Sequence, residues 1–347
     1  MQAFERPPAT GASLTGAKGC APSLRIQHLL WLYLPVVPLL LWLLYLLCQG
    51  GDLDELDATT PPPALYAMVF GVPHVVASFF AFGNFELARA CRVPLIRGFV
   101  GAVMAVMAMA FLLDNQQRFG LLIGLTLLHV VGQQTGLAVG QAGLARADVH
   151  PRWTALAAWT WKGLLGVIAC ATGLAIGGEA LSGPVVPAGP ALQAAGLALC
   201  LSTPLAGLLG WRAASRGGDP RAVLAMQMTA TVAYGLVMAH QPWLGVLLMR
   251  WTHDATAFVL YAALAMADDA SAPARNCLWA PMHRWRWPAR SRTWALAVGI
   301  WPLAIALTIV LTMLPGWVAG IVVLTHYFSE PALWRRGSAL REALPLR

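Results

Sequence analysis

Charge is what this sequence has least of. Asp, Glu, Lys and Arg make up 11% of its 347 residues, against about 25% in an average soluble domain. That shortage excludes an ordinary water-soluble fold of this length. Cysteine is also sparse: Cys20, Cys48, Cys91, Cys170, Cys200 and Cys277 contain no C-x-x-C pair, which argues against a disulfide framework or a thiolate zinc site. Lysine is nearly missing, since Lys18 and Lys162 are the only two among 23 basic residues. With Ala, Gly and Arg abundant, that bias points to a GC-rich bacterial genome. Paired-histidine boxes of the H-x-x-x-H kind are absent, as is any repeat of 20 to 50 residues.

What is present is hydrophobic length, with 58% of residues apolar. Ionisable residues are excluded from successive stretches of about 20 residues, the length that carries a helix across a hydrocarbon core of about 30 Å. Lipid leaves an unpaired backbone no solvent, so such stretches must be helices; they are too long and too uniformly apolar for barrel strands. The expected fold is an all-α integral membrane protein of about ten transmembrane helices. The spans read as Leu29–Cys48, Pro63–Gly83, Leu95–Leu113, Phe119–Leu144, Trp153–Gly177, Ala188–Trp211, Arg221–Ala239, Pro242–Ala267, Trp294–Leu314 and Gly316–Trp334.

Charge placement sets the orientation. With both termini cytoplasmic, 20 Lys and Arg residues fall on the inner side and only Arg118 on the outer, as the positive-inside rule demands. The first outer loop is acidic through Asp52, Asp54, Glu55 and Asp57. Trp153, Trp211, Trp243, Trp294, Trp317 and Trp334 sit at span ends and read as interfacial anchors. Trp31 and Trp42 in the first span, with no small-residue cleavage site, mark it as an uncleaved anchor. The bacterial inner membrane is the expected location.

Residues 1–28 and 335–347 read as cytoplasmic tails around a transmembrane domain over 29–334. The basic, aromatic loop 268–293 holds Trp279, Trp285 and Trp287 among arginines. Beside a bilayer that composition suits anionic lipid headgroups rather than nucleic acid. Gly132, Gly136 and Gly140 form a four-residue stripe that would let another helix approach closely. Lys162, towards the inner end of its span, is expected to snorkel to the interface.

The chemistry-bearing signal is histidine. Four of the eight lie deep in apolar spans: His74, His129, His253 and His326, in spans two, four, eight and ten. All four spans run outside to inside, and each histidine falls about 15 to 20 Å from its outer end at about 1.5 Å per residue. A common layer near the bilayer middle follows. Neutral imidazoles converging there would suit a transition metal, with partners holding their second nitrogens. Ser78, Gln133 and Glu330 lie four residues after His74, His129 and His326, and Asp254 lies four after Arg250. Intramembrane charges cost about 2.5 to 3.5 kcal/mol each on insertion scales, which makes Arg250, Asp254 and Glu330 functional candidates.

Three segments carry a resemblance: Gly71-Val72-Pro73-His74, His129-Val130-Val131-Gly132-Gln133-Gln134, and His326-Tyr327-Phe328-Ser329-Glu330. They resemble the Brp/Blh-like carotenoid dioxygenase family of bacterial multi-histidine membrane proteins. The resemblance implies a non-haem iron held by His74, His129, His253 and His326. The expected function is therefore a membrane-embedded, metal-dependent oxidoreductase or oxygenase acting on an apolar, lipid-like or isoprenoid-like substrate. Glu330, Asp254 and Gln133 would orient ligands or handle protons, and iron is the expected metal because nitrogen sites with open positions suit oxygen chemistry. Two other readings stand beside it: a proton-coupled transporter or channel built on the same polar midplane layer, and a scaffold protein using the loop 268–293.

Overall fold

The structure is a computed structural model that describes residues 71–80, 82, 85–144, 152–180, 188–239, 244–251, 253–254, 257 and 289–333. The first span, both tails, His240 and the loop up to residue 288 lie outside the described residues. Among those described, regular structure is helical: α1 (Val72–Phe80), α2 (Phe85–Ala90), α3 (Arg92–Leu112), α4 (Asn115–Gln141), α5 (Arg152–Ala180), α6 (Ala188–Ala214), α7 (Arg221–Met238), α8 (Ala289–Thr312) and α9 (Gly316–Leu333). A further helical stretch covers 244–251, and His253, Asp254 and Ala257 are also helical. Helices α3 to α7 are each long and apolar enough to cross a membrane.

The distribution of polarity is inverted relative to a water-soluble bundle. Ile96, Met104 and Phe111 on α3, Trp159 on α5, Leu197 on α6 and Val298 on α8 stand exposed. His74, Gln133, His253, Asp254 and Glu330 are buried. A soluble monomer rarely exposes contiguous apolar surface on this scale, whereas hydrocarbon solvates it. The hydroxyls follow the same logic. Thr126, Thr135, Thr172, Thr229 and Thr308 each donate back to the carbonyl four residues earlier, satisfying themselves within their own helix.

The α3–α4 hairpin shows how Arg118 is held. Asp114 caps α4, accepting from the Gln117 amide at 2.8 Å while Gln117 Oε1 accepts from the Asp114 amide at 3.1 Å. Arg118 then turns back onto α3, its Nε donating to Met109 O (3.0 Å) and Leu113 O (2.9 Å) and its Nη2 to Ala110 O (3.0 Å). Met109 O also accepts the Leu113 amide at 3.1 Å, and the carbonyls beyond it at the helix end carry partial negative charge with no partner in the helix. Arg118 serves them and is held by the fold.

At the other side, the chain leaves α4 and α6 through left-handed glycines, Gly143 and Gly217, each with φ of 69°. Gly218 comes against Ala142 O so closely that a Cβ there would collide. The turns after α4 and α6 thus share one side, as alternating spans require. Arg212, at the end of α6, lies over the Trp153 ring at the start of α5.

Inside, Trp161 is fully buried and its indole N–H donates to Gln227 Oε1 at 2.9 Å. Gln227 Nε2 donates in turn to Ser202 Oγ (2.9 Å) and Thr203 Oγ1 (3.2 Å), tying α5, α6 and α7 together. Interhelical hydrogen bonds of this kind contribute about 0.6 kcal/mol on average and up to about 1.7 kcal/mol. α3 packs closely against α9. A Cβ on Gly98 would fall onto Ser329 Oγ and within 2.9 Å of the Ser329 backbone nitrogen. That contact was not singled out by sequence spacing. The Gly132 stripe behaves differently from the expectation: Gly136 faces open space, and Gly132 faces the end of Lys162, not a helix backbone.

Candidate metal centre

α1, α4, the 253–254 segment and α9 each bring one histidine to a common centre. All are held in the interior, His74 at 1%, His253 at 0% and His326 at 3% exposure. Their rings form a closed quadrilateral. Centroids are 4.9 Å apart for His74 and His253, 5.1 Å for His253 and His129, 4.8 Å for His129 and His326, and 5.4 Å for His326 and His74. Every neighbouring pair meets edge to face, at interplanar angles of 63° to 88°. Histidines placed 55 to 252 residues apart in the sequence thus converge within one ring of side chains.

The outer nitrogens are gripped by the neighbouring helix around this ring. His74 Nδ1 lies 3.0 Å from Asp254 Oδ1. His253 Nδ1 lies 3.3 Å from Gln134 Nε2 on α4. His129 Nδ1, also on α4, lies 3.3 Å from Glu330 Oε2 on α9. His326 Nδ1, on α9, lies 2.9 Å from Ser78 Oγ on α1, which closes the circuit. Each helix therefore positions the histidine of the helix before it, and no ring depends on a neighbour in its own helix for this contact.

Proton placement follows from these partners. Ser78 has one hydroxyl proton, and it donates it to Val75 O at 2.6 Å. His326 Nδ1–H must then donate to Ser78 Oγ, which leaves Nε2 with its lone pair. Carboxylate oxygens can only accept, so these contacts favour the proton on Nδ1 of His74 and His129; the His74 Nδ1–Asp254 Oδ1 approach is an ion-pair distance without hydrogen-bond alignment. His129 Nε2 is buried and has no hydrogen-bond partner among the described residues. His74 Nε2 faces His253 Nε2 at 3.3 Å.

Sequence spacing placed Ser78, Gln133 and Glu330 beside the histidine of their own helix. The geometry redistributes them. Ser78 serves His326, not His74. Gln133 Nε2 donates to Glu330 Oε1 at 2.9 Å, so it steadies the carboxylate that steadies His129. Glu330 does approach His326 along its own helix, with Oε1 3.4 Å from Nε2, and it spans two histidines at once. Asp254 pairs with Arg250 at 3.5 Å, as the spacing implied, and adds His74.

Two residues had been given no role. Gln134 stands beside Gln133 in the sequence, and only the order of helices around the ring reveals that it faces His253. Tyr327 stacks on His129, centroids 4.4 Å apart and planes 26° from parallel. Its hydroxyl is 2.9 Å from Thr126 Oγ1, which donates to Leu122 O, so the phenol is the donor in that pair.

The donor set can be tested against a metal ion. Metal–nitrogen bonds of about 2.0 to 2.1 Å put two ligand nitrogens about 3 Å apart when adjacent and about 4.2 Å apart when opposite. The facing Nε2 atoms of His74 and His253 are 3.3 Å apart. Ligand atoms of His74, His129 and His326 all lie within 4.8 Å of one another, as do those of His74, His253 and Asp254. A buried group of nitrogen donors with oriented outer nitrogens could hold a metal ion. No protein-family model, curated protein or solved structure matches this chain, so the geometry itself bears the functional reading.

Proposed function

We propose that the chain is a membrane-embedded, metal-dependent oxidoreductase in which His74, His129, His253 and His326 bind one transition metal ion near the middle of a ten-span bundle. The single observation behind this is a closed circuit of contacts: each imidazole has a polar side chain of the adjacent helix within 3.3 Å of its Nδ1, which leaves Nε2 for a metal. A packed polar layer serving only helix association has no need of that regularity, because interhelical bonds can be made in any combination.

Iron is the preferred ion, as nitrogen donors with nearby carboxylates suit a redox metal better than Ca or Mg, which take oxygen. For His253 to present Nε2, the Gln134 amide turns by half a rotation and offers its oxygen to Nδ1–H, with no change of shape. Asp254 and Glu330 orient His74 and His129, and Gln133 and Arg250 hold those carboxylates. Tyr327, a redox-capable phenol, lies flat on His129. The metal when bound supplies the one-electron chemistry that dioxygen requires.

The substrate reading is an apolar, lipid-like or isoprenoid-like molecule reaching the centre from the bilayer, in accord with the resemblance to Brp/Blh-like dioxygenases. Cleavage of a carbon–carbon double bond by dioxygen into two carbonyls balances without an outside reductant. The orientation proposed places both termini in the cytoplasm of a bacterium, with the chain in its inner membrane.

The test is dioxygen uptake by the purified, iron-loaded protein in nanodiscs, offered polyenes and unsaturated lipids, with carbonyl products read by mass spectrometry. Uptake that depends on iron and vanishes in His129→Ala is expected. Proton-coupled flux in proteoliposomes that survives chelation, with no uptake on any substrate, would replace this reading with a transporter.

A further inference from the structure

A groove of about 580 Å³ opens between α4, α5 and α6, and none of the four histidines lines it. Its walls include Leu128, Val131, Trp159, Gly163, Val167 and Ala194. Leu128, Trp159 and Val167 are exposed, so the groove is open on the flank that lipid would bathe. One lining residue is charged. Lys162 Nζ would stand 3.7 Å from a Cβ on Gly132, one turn from His129 along α4, and lies 5.3 Å from the Trp159 ring centroid.

A snorkelling lysine runs its ammonium along its own helix to water. Lys162 is ten residues into α5, about 15 Å from Arg152. Its side chain turns back only as far as Trp159 and ends half-buried beside Gly132. Apart from that ring it makes no hydrogen bond or ion pair among the described residues. An intramembrane cation is retained for a partner, and here the open space around it is apolar. Gly132, Gly163 and Gly166 line that space.

We infer that this groove binds a long-chain carboxylate, its acyl chain along Leu128, Val131 and Val167 and its carboxylate on the Lys162 ammonium. The volume lies within the range of about 300 to 1,000 Å³ usual for small-molecule sites. One chain with a compact head suits it. A phosphodiester carrying two chains would have to bring a bulky headgroup well below the interface. None of the four histidines or their partners lines the groove, so this is a second site.

The experiment uses the full chain in nanodiscs of zwitterionic lipid and measures equilibrium binding of radiolabelled palmitate, with hexadecanol, cetyltrimethylammonium and phosphatidylglycerol as competitors. Saturable palmitate binding is expected. Lys162→Met should weaken it by about 10-fold or more, the scale of a lost charged hydrogen bond, and Lys162→Arg should retain it. Gly163→Leu is the second variant, since Gly163 lines the groove and a Cβ there meets nothing within 4 Å; it should also weaken binding. Hexadecanol competing as well as palmitate would overturn the proposal. So would unchanged affinity in both Lys162→Met and Gly163→Leu, or phosphatidylglycerol displacing palmitate at lower concentration, which would make the occupant a phospholipid. Metal content is read on the same samples, so loss of the histidine centre is told apart from loss of this site.

Discussion

Replacing Ser78 with alanine removes a single oxygen, and the structure gives two losses to weigh. The hydroxyl donates to Val75 O at 2.6 Å and accepts from His326 Nδ1 at 2.9 Å. For the fold this is one interhelical hydrogen bond, about 0.6 kcal/mol and at most about 1.7 kcal/mol, so the protein should remain folded. For the metal the loss is larger in proportion. Without its acceptor His326 is no longer confined to the Nδ1–H form or to one ring orientation, and removal of such an orienting group lowers metal affinity by about 10- to 100-fold. That is about 1.4 to 2.7 kcal/mol. Ser202 supplies a matched control. It too is buried, donates to the carbonyl three residues back (3.1 Å) and accepts a side-chain N–H (Gln227, 2.9 Å), but stands outside the histidine ring. Chelator competition on the full-length protein, with metal measured by plasma mass spectrometry, should give the reduced affinity for Ser78→Ala and wild-type affinity for Ser202→Ala. Equal affinities for the two variants, at similar thermal stability, would refute the cross-helix clamp.

Glu330→Gln should be more damaging than Ser78→Ala, about 100-fold in metal affinity, because Glu330 contacts both His129 and His326; the same competition series measures it. Saturating metal should raise the unfolding midpoint of the wild type, with about 2.7 kcal/mol of stabilisation at 100 times Kd, and a variant with all four histidines changed to alanine should show no rise in a fluorescence-monitored melt. Gly98→Val should cost about 1 to 3 kcal/mol through the collision with Ser329. Gly124→Ala, where a Cβ meets nothing within 4 Å, should be neutral or stabilising by up to about 1 kcal/mol in the same melt.

Much of the frame was legible because a bilayer imposes length and charge rules that act along the chain. The span read as Arg221–Ala239 is the helix Arg221–Met238, and Gly316–Trp334 is Gly316–Leu333. The four histidines were expected at one level of their helices, and their rings do converge. What escaped was angle. Spacing of four residues says that Ser78 shares a face with His74, but a serine and a histidine on one face reach outward to whatever helix stands opposite. Which helix that is depends on the order of α1, 253–254, α4 and α9 around the ring, and nothing local encodes it. Gln134 was invisible on the same ground, and Gly132 was misjudged because a glycine can make room for a side chain as well as for a helix.

The most direct measurement is X-ray absorption at the metal edge of the full-length protein, purified from metal-sufficient cells, alongside the variant lacking all four histidines. One ion per chain with a shell of imidazole nitrogens at about 2.0 to 2.1 Å, lost in the variant, is the result expected. A wild type that holds no stoichiometric metal after loading, or a variant that keeps the same nitrogen shell, would contradict it.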